Sequence, residues 1–245
     1  MRSVVLIPAR YKSSRFPGKP LTPLNGKPMI QWVAELSARA VGVENVYVAT
    51  EDKRIYDFVE SVGFNAVMTS DQALTGTDRL AEAAEQIDAA IYINVQGDEP
   101  ILDPADILKI RDVKTGKLGS VINGFCWISD QEDPESVNIP KVITNESNEL
   151  VYMSRCALPG FKDAKNAPER YKKQVCIYAF TRDELLAFRN FGRKSELEFS
   201  EDIEILRFLE LNIPIFMVET AGGSLAVDVP EDIAPVENAL KRVHG

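Results

Sequence analysis

Four cations are crowded into a short stretch near the start of the chain. The stretch reads PARYKSSRFPGKP from residue 8 to residue 20, and its cations are Arg10, Lys12, Arg15 and Lys19. Guanidinium forks and lysine point charges both suit phosphate oxygens, and a glycine lets a ligand approach the backbone closely. The spacing is neither that of a Walker loop nor that of a GxGxxG dinucleotide turn. The stretch predicts a clamp for a triphosphate, and a solvated basic loop is the alternative.

Carboxylates follow two later apolar runs. Asp98 and Glu99 follow the run AIYINV after two intervening residues, in the stretch NVQGDEP, and Asp228 follows an apolar run in AVDVPED. A carboxylate at the end of a strand can hold a hard cation such as Mg²⁺ beside a phosphate. Taken alone, Asp228 is better explained as a cap of the helix that Pro230 opens. Asp98 and Asp228 are therefore the candidate metal ligands, and neither is a strong signal by itself.

A third polar stretch, TGTDRLAE, begins at Thr75 and places Arg79 at the start of a predicted helix. Backbone N–H groups and a guanidinium at a helix start can hold a nucleobase or a phosphate. Thr77 as an ordinary N-cap is an equally good explanation of the same residues.

The amino-acid composition limits which kinds of partner the protein can bind. The formal net charge of -9 argues against broad binding to nucleic acid or to an anionic membrane, since both need an extended basic field. The first apolar run, residues 4 to 9, is too short for a membrane span or a signal-peptide core. We therefore expect a cytoplasmic protein with no nucleic-acid or membrane partner.

Two residue types exclude familiar catalytic chemistry. His244 is the only histidine and lies one residue from the end of the chain, which removes Ser-His-Asp or Cys-His catalysis and histidine-ligated metals. The cysteines Cys126, Cys156 and Cys176 are odd in number and widely spaced. They predict three reduced, buried thiols rather than a disulfide framework or a zinc site.

Short apolar runs alternate with helix-period segments through the first half of the chain. The runs SVVLIPA, NVYVAT, FNAVMT and AIYINV read as buried strands separated by amphipathic helices. This alternation predicts an α/β fold with a mostly parallel sheet covered on both faces. Ligands of such folds bind at the carboxyl ends of the strands, where the basic stretch and Asp98 fall.

The pattern changes near residue 119. KVITNESNELVYMS predicts a hairpin, KKQVCIYAF predicts another strand, and a long helix is expected from about Ser200 to Leu211. IPIFMVE and LAVDV return to strand before a last helix opened by Pro230. The middle third therefore predicts a subdomain inserted in a single domain.

The motifs, taken together and in order, resemble those of the 3-deoxy-manno-octulosonate (Kdo) cytidylyltransferase family over essentially the whole chain. They are IPARYKSSRFPGKPL, TGTDRLAEA, NVQGDEP, PKVI, YMSRCALP and VDVPED. The resemblance implies a Rossmann-like α/β nucleotidyltransferase fold of residues 1–245, with an inserted sugar-binding and dimerisation region over about 119–212. It also implies a homodimer that uses CTP, a Kdo-type sugar acid and Mg²⁺ in lipopolysaccharide biosynthesis.

The family's site residues can be carried onto the matching positions. The resemblance implies that Lys19, Asp98 and Arg15 are catalytic and that Asp98 and Asp228 hold Mg²⁺. The implied nucleotide-binding residues are Arg10, Arg15, Lys19, Thr75, Arg79 and Gln96. The implied sugar-binding residues are Lys141, Arg155, Gln174, Tyr178 and Glu204.

Two departures from the family pattern concern the sugar side. KKQVCIY has Gln174 where the family usually has a histidine, and IEILR has Ile205 where it often has a glutamine. Such changes leave cytidylyl transfer in place and suggest, as a hypothesis, the 8-amino-8-deoxy analogue of Kdo as the substrate. The rival functions are a cytidylyltransferase for a sialic-acid-like sugar and a non-catalytic nucleotide-sugar-binding protein. RFPGKP and QGDEP disfavour the first rival, and the intact basic and acidic motif residues disfavour the second.

Overall fold

The computed structural model describes residues 1–12 and 16–244 of the chain. The strands are β1 Ser3–Ala9, β2 Pro23–Leu24, β3 Lys27–Pro28, β4 Val46–Thr50, β5 Asn65–Met68, β6 Ile91–Val95, β7 Val121–Trp127, β8 Lys141–Thr144, β9 Leu150–Ser154, β10 Lys172–Phe180 and β11 Ile215–Glu219. The α-helices are α1 Met29–Val41, α2 Lys53–Ser61, α3 Gly76–Gln86, α4 Pro104–Gly116, α5 Arg182–Asn190, α6 Glu196–Glu201, α7 Leu206–Glu210 and α8 Ile233–His244. No helix of the described part of the chain is both long and apolar enough to cross a membrane.

A nine-stranded sheet forms the centre of the fold. Its main path runs in the order β11-β7-β10-β6-β1-β4-β5, and the β8-β9 hairpin is attached beside β10. β1 pairs in parallel with β4 and β6, and the pairs β4-β5 and β7-β11 are also parallel. β10 runs antiparallel to both of its neighbours on that path. The predicted α/β fold with a mostly parallel sheet is confirmed.

The apolar strands are buried on both faces of the sheet. Along β1, Val4 and Leu6 enter one core with α3, α5 and α7, whereas Val5 and Ile7 enter a second core with α1, α2 and α4. Successive side chains of a strand point to opposite faces, so an unbroken apolar run is what a doubly covered strand requires. A third, smaller core packs α8 against β2 and the start of α1.

Three predicted elements differ from the structure. The long helix expected from Ser200 is divided, because Asp202 adopts a left-handed conformation (φ 50°) between α6 and α7. The LAVDV segment is not a strand; the N–H of Val227 donates to the carbonyl oxygen of Asp98 instead. Strand β7 had no predicted counterpart, since Asn123 and Gly124 interrupt its apolar pattern.

The middle third of the chain contributes both to the sheet and to its edge. β7 and β10 lie within the main path of the sheet, whereas β8 and β9 form the predicted hairpin beside it. The boundaries of an inserted region, residues 119 and 212, stay a prediction.

All three cysteines are free thiols, as the sequence predicts. Cys126 is buried and Cys176 is half-buried, but Cys156 is exposed in the loop that follows β9. The expectation that all three are buried is therefore wrong for Cys156, because that loop lies outside the packed cores.

Candidate active site

A cleft of about 330 Å³ lies at the carboxyl ends of β1 and β6, beside the start of α3. This is where ligands bind in open α/β sheets. The residues predicted for the site that line this cleft are Arg10, Lys19, Thr75, Arg79, Gln96, Asp98, Glu204 and Asp228. Arg15, predicted to be catalytic and to bind the nucleotide, lies outside the described residues.

A lysine and two carboxylates meet in this cleft. Lys19 Nζ donates a 2.6 Å hydrogen bond to Asp98 Oδ2 and lies 3.6 Å from Asp228 Oδ1. All three side chains are partly open to solvent. A cation and paired carboxylates together can hold a phosphate ester and its counter-cation.

A turn at Gly18 positions Lys19 in the cleft. Gly18 has φ 72°, and its N–H donates to the carbonyl oxygen of Tyr11 at 2.9 Å, which holds Gly18 beside the end of β1. An added Cβ at Gly18 would lie 3.2 Å from the Tyr11 ring. The left-handed backbone and the nearby ring both favour glycine here.

A second glycine lets Asp98 approach the end of β1. A Cβ added at Gly97 would lie 2.9 Å from the carbonyl oxygen of Pro8. This distance is shorter than a van der Waals contact between backbone and side chain allows. Glycine at this position therefore brings the turn after β6 against the turn after β1.

Asp228 is positioned by its own turn. The backbone N–H groups of Asp228 and Val229 both donate to Asp232 Oδ2, at 2.8 and 3.0 Å. Val229 is the N-cap of the turn that Pro230 opens, so the alternative that made Asp228 this cap is wrong. Together with the hydrogen bond from Val227 to Asp98, this turn keeps Asp228 beside Lys19.

The two carboxylates suit one particular kind of metal ion. Among the described residues there is no group of three or more His, Cys, Asp or Glu side chains that could hold a metal by themselves. Mg²⁺ typically keeps several waters and uses one or two carboxylates together with substrate phosphates. The donor set of Asp98 and Asp228 therefore fits Mg²⁺ that arrives with a triphosphate.

Arg79 borders the cleft but is engaged by the protein. Its guanidinium donates to the hydroxyl of Thr69 and the carbonyl oxygen of Ser70, and it lies 3.2 Å from Glu51 Oε2. Burial lowers the pKa of Arg79. Glu51 also accepts the backbone N–H of Tyr11, so Arg79 links the start of α3 to the basic loop.

The start of α3 is capped from two directions. Thr75 is the N-cap, because its hydroxyl accepts the N–H of Asp78, so the alternative that named Thr77 is wrong. The carboxylate of Glu204 accepts the N–H groups of Gly76 and Thr77 and the Thr77 hydroxyl, at 3.2, 2.9 and 2.7 Å. This role of a residue predicted to bind sugar had no signal in its local sequence.

Two predicted sugar-binding cations are held by backbone carbonyls. Lys141 is fully buried, and its Nζ donates to the carbonyl oxygens of Ser136 and Arg155 at 2.8 and 2.6 Å. Burial lowers the pKa of Lys141. The guanidinium of Arg155 donates to the carbonyl oxygens of Val137 and Asp202. Neither cation lines the cleft.

The remaining predicted sugar-side residues also lie away from the cleft wall. Gln174 donates to Asn123 Oδ1 at 3.1 Å and to the Tyr178 hydroxyl at 3.2 Å. Tyr178 is buried, which raises its pKa, and Ile205 is 2% exposed within the core. The sugar-binding roles of Lys141, Arg155, Gln174 and Tyr178 stay predictions.

Three side chains on one wall of the cleft have no predicted counterpart. Lys194, Glu198 and Asp202 line it, and behind them the buried Arg207 donates to Glu198 at 2.7 Å and to Asp78 at 2.9 Å. The SELE stretch that opens α6 is a capping-box signal that could have placed Glu198. No local sequence pattern predicts the ion pairs by which Arg207 joins Glu198 of α6 to Asp78 of α3.

Comparison with known proteins agrees with the geometry. A family model described as cytidylyltransferase matches residues 4–215. The chain belongs to the cytidylyltransferase family. This cytidylyltransferase is 42% identical over 255 residues to the 3-deoxy-manno-octulosonate cytidylyltransferase of Trichlorobacter lovleyi, covering 99% of this chain and all of the relative. It is 40% identical over 248 residues to the 8-amino-3,8-dideoxy-manno-octulosonate cytidylyltransferase of Shewanella baltica, covering 98% and 99% of the two chains.

A solved structure shares the whole fold of this cytidylyltransferase. The CMP:2-keto-3-deoxy-manno-octonic acid synthetase complexed with CTP superimposes with a TM-score of 0.91 at 37% sequence identity, covering 99% of this chain and all of that one. The resemblance to the Kdo cytidylyltransferase family is confirmed, and so is the nucleotidyltransferase fold.

Proposed function

We propose that this cytidylyltransferase joins CTP to a Kdo-type eight-carbon 2-keto sugar acid, giving the CMP-sugar and pyrophosphate. The observation that carries the proposal is the meeting of Lys19, Asp98 and Asp228 in one cleft at the strand ends. The names of the two relatives, which differ only in the sugar, support the same reaction class.

In the proposed reaction the anomeric hydroxyl oxygen of the sugar attacks the α-phosphorus of CTP. The bond from the α-phosphorus to its bridging oxygen breaks, pyrophosphate leaves, and the hydroxyl proton passes to solvent. Lys19 and Arg10 would bind the triphosphate oxygens and neutralise the charge that develops on the leaving pyrophosphate. The cleft would hold the two substrates so that this attack is in line.

The proposed cofactor is Mg²⁺, held by Asp98 and Asp228. When bound, it supplies Lewis acidity and charge neutralisation to a phosphoryl centre. Chelation should abolish turnover, and added Mg²⁺ should restore it. Calorimetry offers a readout besides activity: Asp228→Asn should weaken the Mg²⁺ dependence of CTP binding, whereas equal dependence in both proteins would contradict this donor set.

The test of the reaction uses purified protein with Mg²⁺, CTP and equal amounts of Kdo and 8-amino-8-deoxy-Kdo. Mass spectrometry identifies the CMP-sugar formed, and a coupled assay follows pyrophosphate. Either CMP-sugar supports the proposal, and the ratio of the two products identifies the preferred sugar. Failure to form a product from either sugar would overturn the proposal. Absence of pyrophosphate release with a sialic-acid-like sugar as well would favour a binding protein without turnover.

Three further expectations belong with this function. The protein would act as a homodimer, in the cytoplasm, and in lipopolysaccharide biosynthesis. The β8-β9 hairpin, whose strand β9 pairs only with β8 within the described sheet, is the expected interface region. Light scattering after size-exclusion chromatography would test the dimer, and a monomeric mass at assay concentration would contradict it.

A further inference from the structure

One wall of the cleft carries an excess of negative charge. The side chains that α6 and its flanking turns contribute to the lining are Lys194, Glu198, Asp202 and Glu204. Glu198 is buried and accepts hydrogen bonds from Arg207, and Glu204 accepts hydrogen bonds from the start of α3. Asp202 differs from both, because its side chain is 76% exposed and pairs with Lys194 Nζ at 3.1 Å. On this described wall, Asp202 is the carboxylate open to a ligand.

The turn that presents Asp202 is held firmly. Asp202 has the left-handed φ of 50° that separates α6 from α7. The guanidinium of Arg155 donates to the carbonyl oxygens of Glu201 and Asp202, and Glu204, two residues later, is bonded to α3. The backbone that carries Asp202 therefore has a defined position at the cleft, and its side chain extends from there into solvent.

The ion pair with Lys194 shows which ligand group this carboxylate can accept. Lys194 is an alkylammonium that lies in the same cleft and is itself 36% exposed. An ion pair between two exposed side chains is weak, so a ligand ammonium can replace Lys194 at little cost. A hydroxyl at the same place would make a hydrogen bond with only one charged partner, which is weaker than an ammonium–carboxylate pair.

The chemistry of a 2-keto sugar acid indicates which end meets this wall. Its carboxylate is attached to the anomeric carbon, so the acid group and the reacting hydroxyl share one end of the molecule. During the reaction that end must lie next to the phosphates of CTP, near Lys19 and Asp98. An acidic wall suits the other end, and more so when that end is cationic. Gln174 and Ile205, which the sequence suggested for this task, do not line the cleft.

We infer, on the basis of the proposed function, that Asp202 is a specificity-determining residue for the tail of the sugar acid. Its carboxylate accepts a tail ammonium in place of Lys194 Nζ and so favours an amino sugar acid over its hydroxyl analogue. The relatives named for Kdo and for its 8-amino analogue identify this pair of substrates as the relevant comparison.

The experiment measures kcat/KM for 8-amino-8-deoxy-Kdo and for Kdo, and takes their ratio as the readout. Asp202→Asn removes the charge while keeping a residue that tolerates the left-handed conformation. The ratio should fall about two- to fivefold, with the KM for CTP unchanged. The control is Asp57→Asn, which removes the same charge from an exposed ion pair with Lys53 on α2. That variant should leave the ratio unchanged.

A second variant changes the ratio in the other direction. Lys194→Gln removes the competing ammonium, so the ratio should rise above that of the wild type. It decides the question alone if Asp202→Asn does not fold, and an unchanged or lower ratio then overturns the inference. An unchanged ratio in a folded Asp202→Asn variant overturns it as well. These outcomes differ from failure of the proposed function, in which the wild type forms no CMP-sugar from either substrate.

Discussion

Lys19 Nζ lies 2.6 Å from Asp98 Oδ2, although the two residues are 79 positions apart in the sequence. Asp228, from the far end of the chain, completes the group at 3.6 Å from the same nitrogen. The lysine supplies a positive charge for the phosphates of a metal triphosphate, and the two carboxylates supply negative charges for its metal ion. Binding of CTP with Mg²⁺ would give the lysine phosphate partners and leave the carboxylates to the metal.

Asp98→Asn should lower turnover by about a hundredfold or more. Mutating a residue that only hydrogen-bonds to a metal ligand already lowers metal affinity or activity by about ten- to a hundredfold. The asparagine keeps the size of the side chain and can still accept a hydrogen bond from Lys19. Thermal unfolding should therefore change little. Steady-state kinetics checks the prediction, and a near-normal rate would remove Asp98 from the proposed metal site.

Lys19→Met should raise the KM for CTP by about tenfold, because the variant loses a charge-assisted contact to phosphate. The matched control is Lys27→Met, which breaks a lysine–carboxylate pair with Glu35 outside the cleft. Initial rates at varied CTP would be compared for the two variants. Equal KM values would place the phosphate clamp elsewhere on the chain.

Gly97→Ala should destabilise the protein by about 1 to 3 kcal/mol, because its Cβ would press on the Pro8 carbonyl oxygen. The displaced turn also carries Asp98, so activity should fall in step. The control is Gly116→Ala at the end of α4, where an added Cβ meets nothing within 4 Å. Urea unfolding of both variants checks the prediction, and equal midpoints would show that the turn can relax freely.

Glu204→Gln should reduce the free energy of unfolding by about 1 to 2 kcal/mol. A glutamine offers one acceptor oxygen and turns an NH₂ group toward the donors of Gly76 and Thr77. Hydrogen exchange at these two amides should become faster. Glu146→Gln, in the exposed β8-β9 turn, should change neither quantity. Unchanged exchange in the Glu204 variant would mean that Thr75 caps α3 sufficiently by itself.

Glu99 should make stability depend on pH. Burial, with the nearby charges of Asp98 and Asp228, raises the pKa of Glu99 from 4.5 to about 7. Between these values the native state holds a proton that the unfolded state has released, so stability falls as pH rises through the interval. The loss is about 3 kcal/mol at most, and it is complete above pH 7. Urea unfolding of the metal-free protein should show this slope in the wild type and not in Glu99→Gln. The same slope in both proteins would assign it to other groups.

Local sequence patterns determined most of the fold. The run SVVLIPA predicts β1 with its observed limits, Ser3–Ala9, because a strand covered on both faces needs an unbroken apolar sequence. Gly42 ends α1, and the Asp103–Pro104 pair opens α4, because each matches the backbone requirement of a helix end. The parallel strand order then places the cleft at the carboxyl ends, where the basic stretch and Asp98 occur.

Only the tertiary structure decided which side chains meet in the cleft. The capping of α3 by Glu204, the bridge from Arg207 to Asp78 and the exposure of Asp202 each depend on how α6 and α7 pack against the sheet. The sequence around Asp202 favours a continuous helix, and the contacts of the neighbouring turn overrule that local preference. Helix and strand propensities act over a few residues. The contacts of Glu204 with Thr77 and of Arg207 with Asp78 join segments more than a hundred positions apart, and only packing brings those segments together.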